Sequence, residues 1–192
     1  MALTVDLETG RTAFTESVRG FVAAVDDLDE WSLLGASRCH GWTRLDVVVH
    51  VVAGWQEMLG GFVSPVDGSP TVDAASYWPA FEEDAGDPLV ALLAQRRRTT
   101  AYARPDAARE QMHDVADAVL RGAAGCAEGH YLWQGHVFTA GDFLAIWAVE
   151  AALHQIDLLG DRPVPPSALD LARATVAELD GAALADRLEG PA

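Results

Sequence analysis

The sequence predicts an all-α protein, a bundle of four long helices with an additional C-terminal helix. Three observations predict it. Apolar residues recur at helical spacing through Phe14, Val18, Phe21, Val22, Val25 and Leu28. Two T-x-x-D signatures, Thr43 with Asp46 and Thr139 with Asp142, each stand before a long apolar run. Prolines and glycines punctuate the stretches between, at 63–86, 121–129 and 163–166.

The first helix is expected from about Thr9 to Leu34. The second runs from Leu45 to about Phe62. Its Val47–Val52 stretch is apolar almost all round, which argues for a buried helix. The β-branched content would also suit a strand, but the cap and the length favour helix. Residues 63–86 read as a loop whose Tyr77, Trp78 and Phe81 could wall a pocket. A third helix should start at Asp87-Pro88, break or kink at Pro105 and reach about Leu120. After the link 121–129 and the stretch His130–His136, the fourth helix opens at Thr139 and ends at Gly160. A last helix spans roughly 167–188. The reading is one domain over 1–192, with its core at about 10–165.

The chain has 13 basic and 29 acidic residues among 192, a formal net charge of −16. No basic stripe is available to track phosphates, so neither nucleic acid nor an anionic membrane is an expected partner. Every basic residue is arginine. The absence of lysine removes Schiff-base chemistry, covalent pyridoxal phosphate and the phosphate-binding P-loop. No signal peptide and no membrane-length apolar stretch is expected, and two cysteines make no disulfide framework, so the expected location is cytoplasmic.

Glu150 and His154 are the most informative residues. Four apart, they share one face of a helix with Phe143, Trp147 and Leu158. A carboxylate on such an apolar stripe is costly unless something positive compensates it. A metal ion is the simplest compensation if another ligand exists elsewhere. A satisfied buried pair without metal and a shifted helix register are the alternatives. Asp157, three residues past His154, could accept a hydrogen bond from its ring or pair with an arginine.

Beyond these features, Cys39 through Thr43 to His50 resembles the tryptophan-threonine-to-histidine motif of DinB-like proteins. It is more similar still to the N-terminal domain of mycothiol-dependent maleylpyruvate isomerases. Thr139 through Phe143 to Glu150, His154 and Asp157 matches that family's glutamate-x-x-x-histidine-x-x-aspartate helix. The resemblance covers most of residues 10–165 and implies a DinB-like four-helix bundle. It implies a divalent metal, usually zinc, held by His50, Glu150 and His154. Two imidazoles and a carboxylate suit a catalytic zinc with an open fourth position. The resemblance further implies mycothiol as cosubstrate, activated there as a thiolate.

The isomerases carry a second, C-terminal domain, for which these 192 residues leave no room. Single-domain thiol S-transferases and tailoring enzymes therefore fit the length better. The expected activity is a metal-dependent S-transferase or isomerase acting on a small electrophilic metabolite. The alternatives are a tailoring enzyme using metal-bound water or substrate without thiol, and a non-catalytic partner-binding or sensing module. A homodimer is compatible with either class. Candidate substrate or thiol contacts are Arg97, Arg98, Trp78 and His136, with no nucleophile supplied by the protein. Cys39, His40 and His130 carry no assigned role, and Trp42, Trp55, Trp133 and Trp147 read as packing.

Overall fold

The structure is a computed structural model describing residues 3–83 and 87–179. Helix α1 (Leu7–Asp26) begins where the Asp6 carboxylate accepts the Thr9 amide at 2.9 Å. The expected first helix, Thr9–Leu34, is in fact two elements. α1 stops at Asp26, and Asp29 starts the one-turn helix α2 (Glu30–Leu33) by accepting the Ser32 amide at 2.6 Å. Aspartate side chains compete for backbone amides and favour such restarts over helix interiors.

α3 (Arg44–Phe62) opens on a full capping box. Thr43 Oγ1 accepts the Asp46 amide at 3.1 Å, and Asp46 Oδ2 accepts the Thr43 amide at 2.8 Å. The expected loop 63–86 contains a short helix, α4 (Tyr77–Glu83). The expected third helix is also two: α5 (Pro88–Thr99) and α6 (Pro105–Gly125). Pro105 is a helix start and not a kink, because proline at the first position forfeits no intrahelical bond. α6 continues through most of the stretch expected as a link.

The all-α expectation omitted one feature, an antiparallel hairpin of β1 (His130–Trp133) and β2 (His136–Thr139). Its two-residue turn places Gln134 at φ 47° and Gly135 at φ 77°, the left-handed pair that matches the twist of the flanking strands. α7 (Ala140–Asp157) and α8 (Pro166–Leu179) follow. The expected extension of the last helix to Leu188 lies outside the described residues beyond 179. No described helix is long and apolar enough to cross a membrane.

The four long helices α1, α6, α3 and α7 close a ring in that order, with α8 lying across α7 and α1. α1 and α7 run against each other most extensively, whereas α3 meets α7 over a shorter stretch than it meets α6. Two glycines make the α1–α7 approach possible. A Cβ on Gly141 would stand 2.0 Å from the Val5 carbonyl oxygen, and one on Gly10 would stand 2.5 Å from that of Gly141. Just beyond, the buried Asp142 carboxylate accepts the Val5 amide at 2.8 Å and the Thr139 hydroxyl at 2.7 Å. The N-terminal segment is thereby tied to the start of α7.

Because backbone cannot yield as a flexible side chain can, Gly141→Ala is expected to cost about 3 kcal/mol. Thermal denaturation should show it as a fall of roughly 6–12 °C in Tm. A shift below 2 °C would mean that the helices separate without penalty.

Candidate metal centre and its cavity

The middle of α3 and the second half of α7 bring three nitrogen and oxygen donors to one point. Glu150 Oε1 lies 3.2 Å from His50 Nε2 and 3.0 Å from His154 Nε2. The two imidazole rings meet edge to face, centroids 4.8 Å apart, and Trp42 tilts against the outer side of His50. His154 is buried, while His50 and Glu150 keep part of their side chains exposed.

Asp157 meets the other nitrogen of the His154 ring. Its Oδ2 lies 3.0 Å from His154 Nδ1 and also accepts the Cys39 thiol at 3.2 Å. A proton on Nδ1 satisfies that contact and leaves Nε2 with its lone pair toward Glu150. Two acceptors 3.0 Å apart repel unless a proton or a cation lies between them. In the protein alone a proton does this. Burial would push His154 down, but the Glu150 charge, Asp157 and Cys39 hold it well above the ordinary histidine range. Burial would likewise push Glu150 up, and the two histidines hold it well below the carboxylate range.

A divalent cation fits the same point. Donors bound tetrahedrally at about 2.0–2.1 Å are separated by roughly 3.3 Å, close to the distances of Glu150 Oε1 from the two ring nitrogens. Cys39, His154 and Asp157 form a second close donor group, on the Nδ1 side of the same ring. There the Asp157 carboxylate already has two hydrogen-bond donors, so this group reads as a support for the ring.

A cavity of about 300 Å³ adjoins the donors, lined in part by His50 and Glu150. Tyr77 and Trp78 of α4, Trp133 of β1 and Trp147 of α7 supply aromatic walls. Trp133 and Trp147 meet edge to face at 5.0 Å, and Tyr77 lies 5.7 Å from Trp133. Of the candidates read from sequence, Trp78 and Arg98 line this cavity. Arg97 does not: it is exposed, because buried Gln95 and Thr99 turn the opposite face of α5 toward the protein. His136 sits edge-on behind Tyr77 at 6.1 Å, outside the lining. The Phe81 side chain lies outside the described ones.

Sequence reasoning missed Glu57 and Gln134, both in the lining, and undervalued Trp133, Trp147 and Cys39. Glu57 was findable, since it follows His50 by seven residues on the same helix face. Gln134 carried no signal, being placed by an unrecognised hairpin.

The chain matches the family of the mycothiol maleylpyruvate isomerase N-terminal domain over residues 12–159. It belongs to that family. A crystal structure of a mycothiol-dependent maleylpyruvate isomerase superposes with TM-score 0.64 at 16% identity, covering 90% of this chain and 70% of that one. A histidine-to-alanine mutant of such an isomerase superposes with TM-score 0.63 at 15% identity and the same coverage. At that identity the likeness speaks for the fold, an all-α DinB-like bundle. No curated protein sequence matches the chain.

Asp157 is 1% exposed and lies 3.0 Å from Nδ1 of the buried His154 ring. Removing one member of such a buried pair leaves the other uncompensated. Asp157→Ala is expected to lower the stability of the chelator-treated protein by about 3 kcal/mol, measured by urea unfolding. Asp157→Asn should cost less. Equal, small effects of both would remove Asp157 from the support of His154.

Proposed function

We propose that the protein is a metal-dependent enzyme using a low-molecular-weight thiol such as mycothiol, as an isomerase or S-transferase on a small electrophilic metabolite. The supporting observation is the convergence of one ring nitrogen each of His50 and His154 on a Glu150 carboxylate oxygen, at one end of an aromatic-walled cavity. Membership of a family described by mycothiol and maleylpyruvate isomerisation supports the thiol. A divalent ion held there, with zinc the best match to this donor set, would supply Lewis acidity that could make a bound thiol nucleophilic at neutral pH.

The remaining work falls to the chain. His154 is oriented by Asp157, so that its Nε2 is available while Nδ1 keeps its proton. Glu150 brings the negative charge that lets two neutral imidazoles and one carboxylate hold a dication. The aromatic walls exclude water and offer flat faces to an unsaturated substrate. Tyr77 stays a neutral phenol, pushed up by burial and by the charges of Glu150 and Glu57. Its hydroxyl donates to Gln134 Oε1 at 3.2 Å, which keeps a proton donor at the cavity wall.

Two outcomes test this reading. The purified protein should hold one divalent ion per chain by elemental analysis, and a folded His50→Ala variant should hold none. Full occupancy in that variant would refute the ligand set. Metal-loaded protein should consume mycothiol or isomerise a cis-configured electrophile in its presence, with activity abolished by chelator and restored by zinc. Turnover that is unchanged without thiol would instead favour chemistry on bound water.

A further inference from the structure

Apart from the histidine–glutamate cluster, two charged side chains among the described residues line the cavity: Glu57 and Arg98. Both are exposed, so they stand on its solvent side. Glu57 follows His50 by seven residues, two turns along α3 on the same face. Arg98 enters from the last turn of α5. It donates through Nη1 to Gln95 Oε1 at 3.0 Å. A guanidinium has five N–H donors in a planar fork, so donors remain for a carboxylate. Glu57 is exposed on α3. Its charge nonetheless reaches the interior, since it helps to push up the Tyr77 phenol, after burial and Glu150.

These charges decide what an incoming anion meets. A dicarboxylate faces one guanidinium and one carboxylate, so what its first charge gains its second loses. A monocarboxylate can turn its single charge to Arg98 and its flat body to Trp78, Trp133 and Trp147. We propose that the cavity takes a flat, unsaturated substrate bearing a single carboxylate, held by Arg98, and that Glu57 excludes dicarboxylates. This rests on reading the cavity as the substrate site of the enzyme proposed above. It also separates this chain from acting on maleylpyruvate, which bears two carboxylates.

Benzoate and phthalate share a ring and differ by one carboxylate, and tryptophan fluorescence reads their binding through the indoles that line the cavity. In the metal-loaded protein benzoate should bind at least about tenfold tighter than phthalate. Glu57→Gln should raise phthalate affinity about tenfold and benzoate affinity by less, so that the ratio between them narrows. Arg98→Gln should weaken benzoate about tenfold, between the values for a charge pair in bulk water and for one near a protein surface. Both side chains are exposed, so both variants should fold, as circular dichroism will show.

Phthalate binding as tightly as benzoate, an unchanged ratio in Glu57→Gln, or no saturable benzoate quench overturns the proposal. Repeating the titrations in chelator should preserve the ratio. The charge selectivity is thereby read separately from any failure of the metal or thiol reading.

Discussion

A helix enclosed on every side has no solvated face on which to place a carboxylate, and α7 is such a helix. Within it only Glu150 and Ile156 escape full burial. The close crossing with α1, the cover from α8 and the aromatic packing of the hairpin together produce that enclosure. Glu150 therefore has to be neutralised from within the protein. His154 does so from one turn along, and His50 from the neighbouring helix. The short contact between α3 and α7 leaves the gap in which this happens. Fold and site thus answer one requirement, the accommodation of a negative charge in an apolar helix.

Much of this was legible because it depends on local patterns. The two T-x-x-D signatures are real caps, and the spacing of Glu150, His154 and Asp157 put all three on one helical face. The DinB-like, all-α bundle follows from the same patterns and from the family resemblance. What escaped had other causes. The Gln134-Gly135 turn lacks the asparagine or aspartate that usually advertises a primed hairpin, so β1 and β2 went unread. Arg96 to Arg98 are indistinguishable in sequence, and only the burial of Gln95 and Thr99 selects which of them reaches the cavity. The contact of Cys39 with Asp157 spans 118 positions, and no local pattern encodes it.

The all-arginine basic complement has a visible structural use. Arg11 donates through Nε to the Ala123 carbonyl at 3.0 Å and through Nη2 to that of Cys126 at 2.7 Å, closing the end of α6 from α1. Arg104 grips Glu30 through two nitrogens, and Arg162 does the same to Asp27. A planar fork meets two acceptors at once, which a lysine ammonium does with far less geometric definition. In a chain of net charge −16 these three arginines act as staples between distant segments. Arg98 and Arg173 instead meet acceptors one turn away on their own helices, Gln95 and Asp170.

The tie between Val5 and Asp142 spans 137 positions, and the pair His50–Glu150 spans 100. Contacts this remote close late, because the entropy of large loops has to be overcome before they form. On a ribosome, α1 and α3 emerge long before α7 exists to join them. The nascent chain therefore presents Cys39, His50 and the apolar faces of α1 and α3 with nothing yet to cover them. Completion of the donor cluster coincides with docking of α7, so metal capacity and the finished bundle arise in the same step of folding.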